Sequence, residues 1–305
     1  MIYTSDDLIA AIKRNAVVPA SQRKFSDDDF LAFLNEELQL MLTGELMKLN
    51  EDFFTISDTV PLVANQSSYG FPKNAAGWRF RDVVWNDGNG VLQSLTRIPY
   101  EYIDRYQYNN SDHPLFFYVK DDAIVTVPDM GSPVVGSLIL SYERLQNKLV
   151  KINECGRITS VAVVAGGYQL GVTGLPTGYS NGVDIISGVN PHGIICENVI
   201  PVAAPLLLTV VGTFSRPPVV GDWAVQTGNT SIAHIPAEYN MLLAQLASIR
   251  YAVASGDANA VNLISQSAGA MLGKLKERSM NRTKGAPMKI RSKDRVLNLM
   301  RGRMW

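Results

Sequence analysis

Cysteine and histidine are scarce. The 305 residues hold two cysteines and three histidines, with no CxxC, no HExxH and no histidine pair at helical spacing. A metal centre is therefore not expected. Cys155 and Cys196 read as small buried hydrophobes of a reducing cytoplasm. His113, His192 and His234 each stand alone in loop-like sequence. Phosphate-binding loops are missing as well: there is no GxxxxGKS/T and no GxGxxG set between strand and helix. No serine sits in a nucleophile elbow. The chain is accordingly expected to need no cofactor and not to be an enzyme. Long hydrophobic runs are also wanting. The longest, Val199 to Val211, contains Pro201 and Pro205 and stays short of the roughly 20 residues a membrane span needs. Met1 to Asp7 lack a basic region leading into an apolar run, so no signal peptide is expected. Net charge is absent too, with 28 basic and 28 acidic side chains. Hydrophobic content of 46% and charged content of 18% fit a folded chain with two or three domains.

The charge that is present is unevenly placed. From Lys274 to Trp305 eleven Lys and Arg face two acids, a local charge of +9, so the first 273 residues carry −9. This end opens with helical stripes. Leu242, Leu246, Ile249 and Val253 form one, and Val261, Ile264, Ala268, Met271 and Leu275 form a second. Gly256 suits the residue that ends the first helix, and Asp257 can cap the next, which predicts a helical hairpin over 236–277.

At the other end, Thr4 or Ser5 caps a short helix with Leu8, Ile9 and Ile12 on one face. Ser26 then caps a longer one, with an acid three residues on and Phe25 and Phe30 as a hydrophobic staple. Asp27, Asp28 and Asp29 face the positive end of its dipole. The stripe Phe30, Phe33, Leu34, Leu38, Met41, Leu42, Leu46, Leu49 predicts one helix over 27–49.

Between these helices the pattern is short, β-branched and turn-punctuated. Phe53 to Ile56 and Thr59-Val60 open it, and strands are predicted at 80–85, 91–96, 115–119, 123–127, 137–143, 157–164, 183–187, 193–196, 206–212 and 222–226. Asp87-Gly88-Asn89-Gly90 and Lys120-Asp121-Asp122 are hairpin turns, and a helical turn is predicted over Pro99 to Tyr106. The glycine-rich region of Gly166, Gly167 and Gly171 to Gly178 lacks a following helix and reads as a flexible β-loop. The fold class is α+β: a helical bundle of N- and C-terminal helices, a large inserted β-rich region and an extended C-terminal arm. The expected divisions are 1–52 for the first helices, 53–150 for a β domain, 151–235 for a second β module, 236–280 for the closing hairpin and 281–305 for the arm.

Four segments carry a resemblance. They are the acid-capped helix FSDDDFLAFLNEELQLMLTGELMKLNEDFF, the stretch SYGFPKNAAGWRFRDVVWNDGNGVLQSLTRIPYEYI, the stretch HPLFFYVKDDAIVTVPDMGSPVVGSLILSYERLQNKLV, and VGDWAVQTGNTSIAHIPAEYNMLLAQLASIRYAVASGDANAVNLI. Their order of helix, turn and strand resembles the head-to-tail connector (adaptor) proteins of tailed bacteriophages, over residues 25–150 and 215–280. Residues 155–215 look like an added β module. The resemblance implies a non-enzymatic virion protein at the neck. It implies a homo-oligomeric ring of about twelve copies, bound to the portal protein and to further neck or tail proteins, with passing DNA in transient contact and no membrane involved.

In the arm, Met288 and Ile290 alternate with Lys289 and Arg291, which suits a strand added to a partner's sheet edge. Ser292 can cap a short helix with Val296, Leu299 and Met300 on one side and Arg295 and Arg301 outside; Trp305 is a terminal anchor. The expected partner-binding residues are Lys284, Met288, Lys289, Ile290, Arg291, Arg295, Leu299, Met300, Arg301, Arg303 and Trp305. Two other readings stand beside this one. A nucleic-acid-binding protein would use the basic tail on phosphates. A β-rich receptor-type tail protein would need exposed aromatics, for which Tyr168, Tyr179, Phe214 and Trp223 are available.

Overall fold

Thr4 and Ser26 each open a helix by reciprocal capping. The hydroxyl of Thr4 accepts the Asp7 N–H while the Asp7 carboxylate accepts the Thr4 N–H; Ser26 and Asp29 do the same. The computed structural model describes residues 3–19, 21–49, 54–72, 75–106, 113–128, 136–189, 193–204, 206–212 and 214–283. Helix α1 spans Ser5–Asn15 and buries Leu8, Ile9 and Ile12, as its stripe predicts. Helix α2, Asp27–Glu36, runs through a π-helical stretch, Glu37–Leu42, into α3, Thr43–Leu49. The predicted helix is thus continuous but wider in its middle, where the Thr43 hydroxyl donates to the Leu38 carbonyl. The three aspartates do more than face a dipole. Asp29 closes the cap, Asp27 meets Lys13 of α1 at 2.5 Å, and Asp28 meets Lys151 at 2.6 Å.

Two small sheets follow. Strands β1 (Thr55–Pro61), β2 (Ser68–Gly70), β3 (Ala75–Asn86), β4 (Leu92–Ser94) and β5 (Thr96–Arg97) lead to a 3-10 turn, Tyr100–Tyr102, and a short α4, Ile103–Tyr106. Then come β6 (Phe116–Lys120), β7 (Ala123–Val127) and β8 (Ser137–Arg144). The orders are β1-β8-β3-β4 and β2-β7-β6-β5. Leu138, Leu140 and Tyr142 of β8 join Val83, Tyr69, Phe117 and Ile124 in one core. The predicted strand at 91–96 divides in two because buried Leu95 donates to the Val83 carbonyl while Thr96 donates to that of Leu115. The chain crosses from one sheet to the other there.

Further strands are β9 (Lys148–Leu149), β10 (Gly156–Val164), β11 (Gly167–Val172), β12 (Val183–Ile186), β13 (Ile194–Val199), β14 (Val202–Ala204), β15 (Leu207–Val211), β16 (Trp223–Gln226) and β17 (Asn229–Thr230). Seven of them form one sheet, β13-β12-β16-β10-β11-β15-β14, and β9 pairs with β17. Strand β10 serves both halves of the large sheet. Gly156 and Arg157 pair with β16, and the register shifts between Ile158 and Ser160 as the rest pairs with β11. Leu170, Leu208 and Val210 from one half share a core with Val183, Ile185 and Ile195 from the other.

Strand β11 corrects the expected flexible loop over its first part, Gly167–Val172; residues 173–178 form no strand. A Cβ on Gly167 would stand 2.0 Å from the Val210 carbonyl oxygen, and one on Gly171 would stand 2.3 Å from Ser160 Oγ. These glycines allow close strand approach. Two buried acids secure the flanking loops. Asp184 accepts from Asn198 N–H, the Thr227 hydroxyl and Gly228 N–H; Asp222 accepts from Gly188 and Val219 N–H and from Arg216.

A 3-10 turn, Ala237–Tyr239, leads into α5, Asn240–Ser255, and α6, Ala258–Thr283. Gly256 has φ +80° and the Asp257 carboxylate accepts the Ala260 N–H at 3.0 Å, the predicted stop and start. Helix α5 touches α1, α2 and α6. The helices at both ends of the chain therefore meet in one apolar cluster, which includes Leu8, Ile12, Phe30, Leu34, Leu38, Leu243, Ala247, Tyr251, Ala268 and Leu275. Phe25 and Phe30 both pack on Tyr251, with centroids 5.1 and 5.4 Å away. The stripe predicted for α6 is the buried one, while that of α5 holds at its start and drifts off the core toward its end. Leu242 is buried as predicted, Leu246 and Ile249 are half-buried, and Val253 is 61% exposed, whereas Leu243, Ala247 and Tyr251 are buried beside them. Packing on several sides makes small residues such as Ala244 and Ala247 part of the contact, and a stripe read from large side chains passes over them.

Candidate interaction site

Strand alternation puts Leu138, Leu140, Tyr142 and Arg144 of β8 in the same buried phase. A guanidinium at a core position needs a partner, and Arg144 has two. It forms an ion pair with Glu197 of β13, and its Nη2 donates to Asn147 Oδ1 at 3.0 Å. Its Nε, also buried, has no hydrogen-bond partner among the described residues. Burial pushes the Glu197 carboxyl above its usual range, against the lowering effect of Arg144. Two residues earlier on β8, the Tyr142 hydroxyl donates to Asp58 of the adjacent β1 at 2.6 Å. Burial, then the Asp58 carboxylate, raises the Tyr142 phenol.

Asp58, Arg144 and Glu197 line a cleft of about 520 Å³. Ile56, Ser57 and Asp58 come from β1, Arg144 ends β8, Ile194 to Glu197 come from β13, and Ser215 closes one side. Both β1 and β13 are outermost strands of their sheets. The cleft therefore lies between two sheet edges. On β13 the Ile195 carbonyl is already taken, by the Ser215 N–H at 2.8 Å. Cys196 is free and buried, its thiol pushed up to about 11 by burial; Cys155 is likewise free and reaches about 12. Both are protonated at neutral pH and poor nucleophiles. Two carboxylates, one guanidinium, isoleucines and exposed strand edge suit an extended peptide better than a reacting small molecule.

At the basic end, Lys276 of α6 meets Glu45 of α3 at 2.8 Å, and Lys48 meets the same carboxylate at 2.9 Å. Hydrogen bonds from Lys276 and then Lys48 hold Glu45 down to about 2. The last helix is thus fastened to α3 as its basic section begins. All eleven residues expected to bind a partner, from Lys284 to Trp305, lie outside the described residues.

His113 stacks on Trp85 with ring centroids 4.5 Å apart, and buried His234 lies 3.3 Å from the Thr230 hydroxyl; His192 lies outside the described residues. Among the described residues no three or more His, Cys, Asp or Glu are grouped to hold a metal, and no helix is long and apolar enough to cross a membrane. The aromatics a receptor surface would expose are packed: Tyr168 against Phe214 at 4.8 Å, Tyr179 against the sheet core, and Trp223 at 8% exposure. Sequence reasoning missed Asp58, Arg144 and Glu197. The usable signal was a charge in the buried phase of SLILSYER.

Residues 3–291 match the family model described as the SU10 adaptor protein. No curated protein matches the chain.

Proposed function

We propose that the chain, which belongs to the SU10 adaptor protein family, is the ring-forming adaptor of a phage neck. That family is one of phage structural adaptors, so the chain is a virion component that works against other virion proteins. Beyond this, our reading is a homo-oligomeric ring of about twelve copies that joins the portal to the tail and surrounds the genome channel. The observation that carries it is the match over residues 3–291, nearly the whole chain. The helices α1–α3, α5 and α6 would be a bundle forming the ring wall, since one apolar cluster unites them. The sheets of 53–150 and 151–235 would be two β units carried on it. Residues 281–305 would be a docking arm in which Met288, Ile290, Leu299, Met300 and Trp305 anchor while Lys284, Lys289, Arg291, Arg295, Arg301 and Arg303 set register. Passing DNA would meet the ring only transiently.

Electron-microscopic class averages of the purified assembly test the ring directly; a chain that stays monomeric with its portal present overturns it. Deleting 281–305, and separately changing Met288, Ile290, Met300 and Trp305 to Ser with every charge kept, tests the arm. Both variants should fold and fail to join the portal-containing assembly. Normal assembly of the charge-preserving variant would favour the reading in which the +9 end serves nucleic acid.

A further inference from the structure

The cleft between β1 and β13 has the form of a slot for a strand. Strand β1 pairs with β8 on one side, and as the outermost strand of its sheet it offers its other edge as a template for further pairing. The wall opposite, β13, has the Ile195 carbonyl covered by Ser215, so the open edge is that of β1. The lining is apolar at Ile56, Ile194 and Ile195 and carries one more acid than base, Asp58 and Glu197 against Arg144. The buried Arg144 Nε is a donor still without an acceptor among the described residues. A strand entering here should bring backbone carbonyls, apolar side chains on one face and positive charge on the other.

Pro287-Met288-Lys289-Ile290-Arg291 has that pattern. Alternate residues of a strand face opposite ways, so Met288 and Ile290 share one face and Lys289 and Arg291 the other. Helix α6 spans Ala258–Thr283, and this segment begins four residues further along the sequence. Fourteen more, 292–305, follow it. At roughly 3.3 Å per residue the segment would cover about 16 Å. The +9 end and the −9 remainder attract between copies while whole copies are neutral.

We infer that residues 287–291 of one copy add as a strand to the β1 edge inside the cleft of a second copy, with Lys289 and Arg291 facing Asp58 and Glu197. The inference rests on the ring reading above and gives that ring a link between neighbours. It leaves 292–305, with Trp305, to reach a different protein. Glu197, whose carboxyl burial holds high, gains a second cation when the slot fills.

The test uses the full chain carrying Ser57→Cys and Ile290→Cys, treated with a short bismaleimide in the assembled state. The native thiols are buried and protonated, and Ile290→Cys alone serves as control. The expected result is a ladder of covalent oligomers on a denaturing gel. Adding Lys289→Glu and Arg291→Glu should lower its yield at least about fivefold. Cross-linking confined to single chains overturns the assignment to a second copy. No cross-linking in an intact assembly, or a yield indifferent to the charge reversal, overturns the cleft as the arm's seat. Either failure leaves the docking arm itself standing if deletion of 281–305 still blocks assembly, so the two readings fail separately.

Discussion

Asn35 and Leu149 are joined by both ends of one side-chain amide: Asn35 Nδ2 donates to the Leu149 carbonyl at 2.9 Å, and Asn35 Oδ1 accepts the Leu149 N–H at 2.7 Å. A residue of α2 thereby completes the backbone pairing of β9, which on its other side pairs with β17. Both residues are buried, so neither backbone group can turn to water instead. Asn35→Leu should leave the two groups unpaired at a cost of about 2–4 kcal/mol. A urea midpoint unchanged at constant m-value would show that this joint contributes nothing.

Leu243 is fully buried in the cluster where α5 meets the N-terminal helices. Leu243→Asp should destabilise by at least about 4 kcal/mol, from lost burial and an unpaired charge. Val253→Asp, on the exposed side of the same helix, should stay within about 0.5 kcal/mol of the parent. Equal melting temperatures for the two variants would refute the shared core.

Gly167 and Gly174 lie seven residues apart and should respond unequally to a methyl group. At Gly167 a Cβ meets the Val210 carbonyl oxygen at 2.0 Å, whereas at Gly174 it meets nothing within 4 Å. Gly167→Ala should cost about 1–3 kcal/mol by forcing β11 from β15. Gly174→Ala should be close to neutral. Chemical denaturation of both variants checks the contrast, and an unaffected Gly167→Ala would count against the strand register.

Glu45 links pH to the hold of α3 on α6. Its folded pKa, about 2, lies below the ordinary 4.5, so its contribution is fully present above about 4.5 and is lost as pH falls toward 2. The melting-temperature gap between the parent and Glu45→Gln should therefore be widest near neutrality and close across that acid window. A gap that stays constant down to pH 2 would detach the effect from Lys276 and Lys48.

What could be read from the chain was whatever is decided locally. Thr4, Ser26, Gly256 and Asp257 act on backbone within a few residues, and each stands where its neighbours predict. Leu243 and Tyr251 were missed because the buried side of α5 is chosen by helices that arrive from elsewhere in the chain. Gly167 was misread because close strand approach is a property of β15, not of its own sequence. The cleft needed two partners, Arg144 and Glu197, whose pairing crosses two sheets. For the arm, only charge and alternation are legible, since its residues lie past Thr283.

The buried Glu37 and its partner Arg250 are 213 residues apart, and all the described strands lie between them. At a synthesis rate of roughly 5–20 residues per second, the face of α2 that ends against α5 waits about 10–40 s for its cover. During that interval Phe30, Leu34 and Leu38 sit on a nascent chain with no tertiary partner from α5 or α6. The sheets can fold meanwhile, but the helical cluster closes last.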